Sequence, residues 1–500
     1  MEKTGGYSMV TGNLAHKLQP EEIERIDPLA PDPLKYTSVA LSEVYSNNTR
    51  LEASAFNLEA KAAKYKVEHC KYGFVHLWGE NGLVKDAFVR SRFKRIYVEK
   101  GEGIPFFQPS SITEIYPKPT KYISENTDVD IDGLKVKKGM LLMSVSGTIG
   151  KCSIVGKTLD NKVFSHDLLR LFGKNEYDVG YIYAYFCTPI GQQMLQTNNY
   201  GAVVQHIEPE HLKNIIIPNA PDPIKRKIHN LVVESYDLRD ESNELIDEAE
   251  QILYEELQLP PIEQLKPTYF DKDVDLRNYI TKLSGLNLRL DCSYHAPVIK
   301  EIIDILKHNS KKIVLLGVLS SAIVLPGRFS RTYVNKENGV PFLGGRDIFC
   351  LDPITDKYLS RTIHKKQIES ELKIKNNNIL TPSRGTIGAV ALAPKHFEGK
   401  AISDNIINIR QNDDIAGYSY CFLNSDYGRE LIRRHIYGGV IDAMEPSMLY
   451  NVEIPIIKNE SKQKEINDKI LQANELRYQA YQKEQEAVST TEKILESSIN

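Results

Sequence analysis

Two runs of this sequence set guanidinium groups beside aromatic rings: Arg92-Phe93-Lys94-Arg95-Ile96-Tyr97-Val98 and Arg328-Phe329-Ser330-Arg331-Thr332-Tyr333-Val334. On an extended strand alternate residues share a face, so Arg92, Lys94 and Ile96 should fall on one side and Phe93, Arg95 and Tyr97 on the other. A guanidinium can bridge phosphates or grip a guanine edge through two hydrogen bonds, and a neighbouring ring anchors the strand or stacks. That is the chemistry of holding nucleic acid, with a solvated cationic strand as the plainer alternative. Arg92, Lys94, Arg95, Arg328 and Arg331 are the first candidates for DNA contact.

A second pair of motifs offers backbone amides. Gly147-Thr148-Ile149-Gly150 is followed by Lys151, and Gly385-Thr386-Ile387-Gly388 by Ala389. Each follows a β-rich run, and a phosphate could sit against such a turn. The spacing is not that of a nucleotide-binding loop, which needs four residues between its glycines and a Lys-Ser/Thr end, so nucleotide hydrolysis is not indicated. Lys151 and Arg384 are candidates for DNA contact here, and a turn that only shapes the fold is the alternative.

Ser165-His166-Asp167 invites a catalytic-triad reading, but triad members meet in space, not in sequence, and Ser403-Asp404-Asn405 stands at the matching place further on. Variation inside a shared frame suits two readers of different DNA words, which makes His166 and Asn405 candidates. Gln205-His206 against Asp442-Ala443 follows the same logic, since Gln pairs with adenine and Asp accepts from cytosine. Neutral drift is the alternative for each. No zinc-spaced Cys/His cluster, nucleophile elbow or amino-methyltransferase loop is found, so no catalytic or metal residue is assigned.

The elements that must position these residues come twice. The Arg-Phe-x-Arg-x-Tyr-Val runs lie 236 residues apart, and Gly103-Ile104-Pro105-Phe106 returns as Gly339-Val340-Pro341-Phe342 at the same offset. The Gly-Thr-Ile-Gly and Ser165/Ser403 blocks are 238 apart; Tyr200-Gly201-Ala202-Val203-Val204 matches Tyr437-Gly438-Gly439-Val440-Ile441, and Asn214-Ile215-Ile216-Ile217-Pro218 matches Asn451-Val452-Glu453-Ile454-Pro455, both at 237. Arg50-Leu51-Glu52-Ala53-Ser54 pairs with Arg289-Leu290-Asp291-Cys292-Ser293. A period this long means a duplicated domain, not a solenoid of roughly 20–50-residue repeats. Within each copy, short β-rich runs punctuated by Gly, Pro and Asn surround residues 179–195 and 415–432, whose apolar spacing is helical.

Each copy ends in a long stretch without proline or glycine. Between residues 224 and 257, Ile228, Leu231, Ser235, Leu238, Ser242, Leu245, Ala249 and Ile252 recur in steps of three and four; between 462 and 497, Ile466, Ala473, Ala480, Ala487 and Ile494 fall seven apart. These stripes are narrow enough for a two-helix seam, the alternative being that each helix packs on its own module. The expected division is 1–49 an N-terminal arm or linker, 50–220 the first module, 221–258 a long helix, 259–288 a connector, 289–457 the second module and 458–497 a second long helix.

Bulk properties set the outer limits. A chain of 500 residues has room for two or three domains, and a net charge of −3 excludes a protein that coats DNA through bulk positive charge. Six cysteines without a C-x-x-C pair suggest a reducing, cytoplasmic setting. Residues 1–20 lack the apolar core of a secretory signal, and the longest apolar stretch, 313–326, is too short and too interrupted to span a bilayer, so no membrane partner is expected.

The doubled module, the Gly-Thr-Ile-Gly turn, the Tyr-Gly-x-Val segment leading to an Ile-Pro stop and the long helix after each copy resemble the specificity subunits of type I restriction-modification systems, over residues 50–500. The resemblance implies an α+β fold with two homologous mixed α/β target recognition domains, each followed by a long helix, the two helices packed as an antiparallel coiled coil. It implies a non-catalytic subunit without a cofactor of its own that reads a bipartite asymmetric site in double-stranded DNA. Two methyltransferase subunits, which use S-adenosylmethionine, and restriction motor-nuclease subunits are the implied partners. The competing expectation is the recognition region of a DNA methyltransferase or nuclease with an unrecognised catalytic motif.

Overall fold

The computed structural model describes residues 38–46, 56–146, 149–197, 206–265, 280–286, 289–353, 355–438 and 442–497. Most of the expected arm 1–49, the repeat block 50–54, Gly147, Thr148, the segment 200–204, Gln205 and half of the connector (266–279) lie outside the described residues.

The internal repeat is a repeat of fold, with three sheets recurring in the same strand order. In the first domain Val84–Phe88, Leu168–Gly173, Leu141–Ser144 and Cys152–Ile154 are neighbours in that order; in the second, Ala322–Val324, Ile406–Arg410, Ile379–Pro382 and Ala391–Leu392. A second sheet runs Tyr97–Val98, Lys121–Ile123, Ile104–Phe107, Val163–Phe164, answered by Tyr333–Val334, Tyr358–Ser360, Gly339–Leu343, Ala401–Ile402. A two-stranded ribbon joins Phe74–His76 to Ile216–Pro218 in one copy and Lys312–Leu315 to Glu453–Ile456 in the other.

Sheet and helix placement follow from burial. The strand Leu141–Ser144 is covered on both faces, which is why it reads as a continuous apolar run: Leu141 and Met143 join the helix-side core, and Leu142 the opposite one. Ile379 and Leu380 divide in the same way. Each apolar stretch between the sheets and the Ile-Pro stop folds as two helices, Glu176–Phe186 with Pro189–Thr197 and Asp413–Asn424 with Asp426–Arg433. Thr188 and Ser425 force the break by accepting, through their hydroxyls, from the Gly191 and Gly428 amides at 3.0 and 3.2 Å. Buried Tyr181 donates to the Pro218 carbonyl at 2.9 Å and its counterpart Tyr418 to that of Pro455, so one hydrogen bond pins each Ile-Pro stop.

The long helices span Asp222–Glu256 (35 residues) and Glu460–Glu496 (37 residues). At about 1.5 Å per residue each is roughly 50 Å long. They are antiparallel: Glu234 pairs with Lys483 at 2.7 Å, Ser235 donates to the Ala480 carbonyl at 2.8 Å, Arg477 donates to Asn243 at 3.4 Å and Lys469 pairs with Glu248 at 2.7 Å, so numbers rising along one helix meet numbers falling along the other. Ile466, Ala473, Ala480, Ala487 and Ile494 are all buried on the seam. The first helix departs from the expected stripe. Leu238, Leu245 and Ile252 are only half-buried, whereas Val232, Tyr236, Ile246 and Leu253 are buried because the helix packs on the domains as well as on its partner.

Each domain is built on one end of both helices. Ile228, Leu231 and Val232 share the first domain's core with Ala487, Ile494 and Leu495 from the chain's far end; Ile246, Ala249 and Leu253 share the second domain's core with Ile466 and Ile470. The ends are tied alike: the Lys71 amide donates to the Ser497 carbonyl at 2.7 Å, and the side-chain amide of Asn309, 238 residues on from Lys71, donates to the Leu257 carbonyl at 2.8 Å. Mid-coil, Arg239 meets Glu484 at 2.6 Å, and Glu484 also accepts from the Tyr183 hydroxyl.

Candidate nucleic-acid interface

The Arg-Phe runs differ from the expected strand. The ladder begins only at Tyr97 and Tyr333, and the preceding residues belong to no strand, although the Ile96 and Thr332 carbonyls accept from the Ser124 and Ser360 amides at 2.9 and 3.0 Å. The expected alternation holds only over residues 92–96, where Arg92, Lys94 and Ile96 are exposed and Phe93 and Arg95 half-buried; Tyr97 is exposed, and in the second copy Arg331 and Tyr333 are exposed. Arg328 is exposed as well.

Arg95 and Arg331 are committed to neighbours that the sequence places some 70 residues away. One Arg95 nitrogen lies 3.1 Å from Ser165 Oγ, 3.2 Å from His166 Nδ1 and 3.3 Å from Asp167 Oδ2. Burial pushes the His166 imidazole below its usual range, opposed by Asp167 and reinforced by the charges of Arg95 and Arg92. In the second domain Arg331 pairs with Asp404, at the position of His166, while Asn405 is exposed. Arg95 sits over the rings of Phe93 and Phe106, and Arg331 over Phe342. The two domains thus build one frame, an arginine on an aromatic platform, and furnish it with different polar companions.

The Gly-Thr-Ile-Gly turns have a structural role that their glycines explain. Gly150 and Gly388 have φ of +85° and +97°, and a Cβ on them would stand 3.0 Å from Leu195 Cδ1 and 2.8 Å from Arg433 Cγ, so the turn must press its backbone onto the following helix. Beside each turn an isolated bridge joins Ser146 to His206 in one copy and Arg384 to Ala443 in the other. Arg384 is exposed and Lys151 half-buried.

The domains also touch each other. Glu114 bridges Cys350, the Ile115 amide donates to the Phe349 carbonyl at 2.9 Å, Tyr116 donates to Asp247 of the first long helix, and Lys118 reaches both Glu250 and the Asn424 carbonyl at 3.2 Å. Above this contact lies a cleft of 1590 Å³, lined by both domains: Ser146 and Lys151 beside the first turn, residues 385–389 of the second, and the cations Arg346 and Arg429. Sequence reading passed over those two arginines. Arg346 follows Gly344 and Gly345 without a motif, and Arg429 lies on a helix whose apolar spacing drew the attention. Among the described residues no group of three or more His, Cys, Asp and Glu is placed to hold a metal ion, and no helix is long and apolar enough to cross a membrane.

Burial pushes the Glu114 carboxyl up to about 7, against the pull of Arg346 and Arg429. The folded state therefore binds this proton more tightly than the unfolded chain does, and stability contributed at this contact falls as pH rises from about 4.5 to about 7. Glu114→Gln should remove that fall, gaining on the order of 3 kcal/mol relative to wild type at pH 8 and little at pH 4.5. Urea unfolding at both pH values measures it; an equal effect at both would refute the assignment.

No family model matches the chain, and no curated protein matches it. Among solved structures it is similar to the S subunit of a type I restriction-modification system from M. genitalium, at 13% identity over 85% of this chain and 98% of that one, TM-score 0.28. A similar match is the HsdS subunit from Thermoanaerobacter tengcongensis, at 15% identity over 85% and 97%, TM-score 0.26. A chain from a structure addressing assembly and conformational transition of the type I R-M system matches at 15% identity over 84% and 96%, TM-score 0.26. These three solved chains come from type I restriction-modification systems, two of them S subunits by description.

Proposed function

We propose that the chain is a DNA-sequence-reading subunit of the type I restriction-modification kind, each domain reading one half of a bipartite asymmetric site. The observation that carries this reading is the duplicated frame of Arg95 and Arg331, whose companions change from Ser165, His166 and Asp167 to Asp404 between domains related by antiparallel helices. An approximate two-fold relation presents the two readers to a duplex in opposite senses, and different companions let them prefer different words. The subunit carries no catalysis of its own; it recruits two methyltransferase subunits, which bind S-adenosylmethionine, and through them the motor-nuclease subunits.

The exposed Arg92, Lys94 and Arg328 hold phosphates in this scheme, whereas Arg95 and Arg331 position the loops beside them. Arg92→Ala, Lys94→Ala and Arg328→Ala should each lower the slope of log affinity against log salt by about 1, uniformly across DNA sequences. Fluorescence anisotropy with labelled duplexes at graded salt tests this. Absence of any DNA affinity at low salt sinks the reading, and S-adenosylmethionine binding by the purified chain alone would favour an enzyme instead.

A further inference from the structure

The contact between the domains joins equivalent residues. Glu114 and Cys350 occupy the same place in the two copies, 236 residues apart, and they bridge each other antiparallel. Such a contact lies on the approximate two-fold axis relating the domains, as does the centre of a self-complementary dimer interface. The flanks are equivalent too. Tyr116 donates to Asp247, and at the corresponding positions Gln485 Nε2 donates to Asp352 at 3.0 Å, with donor and acceptor exchanged. The Asn243 side-chain amide holds the Ile115 carbonyl at 2.8 Å. Each domain's edge segment therefore grips a long helix and its counterpart edge at once.

We propose that this joint, residues 113–118 with 349–352, is a second determinant of half-site spacing besides helix length, clamping the two readers at one separation. The proposal rests on the DNA-reading function above. Sliding one reader along a duplex by a single base pair means about 3.4 Å. The joint's hydrogen bonds from Ile115 to Phe349, Lys118 to Asn424 and Asn243 to Ile115, 2.8–3.2 Å long, are lost when stretched by about 1 Å, so a one-base-pair slip cannot occur with the joint intact. Without it, the direct polar tie left between the readers is the ion pair of Lys100 with Asp426 at 2.8 Å, and each domain otherwise rests on the helices, which can flex over roughly 50 Å.

The test is selection from a random-sequence duplex pool by the full chain, followed by sequencing and by reading the distance between the two enriched words. A loosened protein carries Ile115→Pro, which removes the amide that donates to Phe349, with Lys118→Met and Lys100→Met, which remove the bonds to the Asn424 carbonyl and to Asp426. A locked protein carries Thr113→Cys, because Thr113 Oγ1 lies 3.6 Å from Cys350 Sγ and a cysteine there can form a disulfide across the joint. Wild type should show one spacing, the loosened protein the same two words at spacings spread over one or two further base pairs, and the oxidised locked protein the wild-type spacing alone. A loosened pool as sharply spaced as wild type overturns the proposal. So does a locked protein that binds DNA only after reduction, since the joint would then have to open. A wild-type pool without paired words overturns the DNA-reading function itself, which separates the two failures. If the loosened protein does not fold, the locked one still decides.

Discussion

Inserting seven residues into both long helices, between the layer of Arg239 with Glu484 and the layer of Asn243 with Arg477, is expected to move the spacing of the recognised site by about 3 base pairs. Seven residues add about 10.5 Å of helix and keep the seam in phase, because the apolar stripe of the second helix itself repeats every seven residues. Binding to the original site should drop towards the non-specific level, a thousandfold or more, since a reader displaced by three base pairs meets the wrong bases. The insertion also draws Glu114 away from Cys350, so the new spacing should be less sharply chosen than the old one. Methylation mapping in cells supplied with the partner subunits, or selection from random duplexes, reads the result. A spacing that does not move would show that the helices do not measure the site.

Glu484→Ala should cost the chain 3–5 kcal/mol, the usual penalty for stripping one partner from a buried ion pair. The mutation leaves the Arg239 guanidinium inside the coiled coil, over the Tyr236 ring, with neutral hydroxyls, Ser235 Oγ at 3.3 Å and that of Tyr183, in place of a carboxylate, and removes the acceptor of Tyr183. Arg239→Met with Glu484→Leu, which removes both charges and fills the space, should recover most of the loss. Chemical denaturation of the three proteins measures this. If the single and double replacements prove equally destabilised, the cost comes from packing rather than from the orphaned charge.

The parts of this molecule that were legible in the sequence are those with a period. The duplication shows in aligned blocks, and it corresponds to three sheets repeated in one strand order. The second helix announces its seam through residues seven apart, the small Ala473, Ala480 and Ala487 among them, which are buried where the helices meet. The first helix is less legible: Ile246 and Leu253 turn inward to the second domain and lie off the line of Leu238, Leu245 and Ile252 that spacing singles out. Contacts made by single residues across the fold left no trace. Nothing in Arg331 and Asp404, or in Arg95 and Ser165, signals that each pair meets, since strand alternation places a side chain on a face without saying what closes over it. The domain joint was invisible for a further reason, that equivalent positions hold chemically unlike residues, Glu114 opposite Cys350 and Tyr116 opposite Asp352.

The way each domain is seated on both helices bears on how the protein is made. Ala487, Ile494 and Leu495 complete a core whose residues on the first long helix, Ile228 to Tyr236, leave the ribosome some 250 residues earlier. At about 5–20 residues per second, that core waits roughly 10–50 s for its last wall. During the wait its apolar surface stays open to solvent, and a chain that stops short of the final helical turns would leave the ribosome with a first domain unable to close. Nascent chains halted before residue 487 should accordingly be protease-sensitive in a domain whose own sequence is already complete.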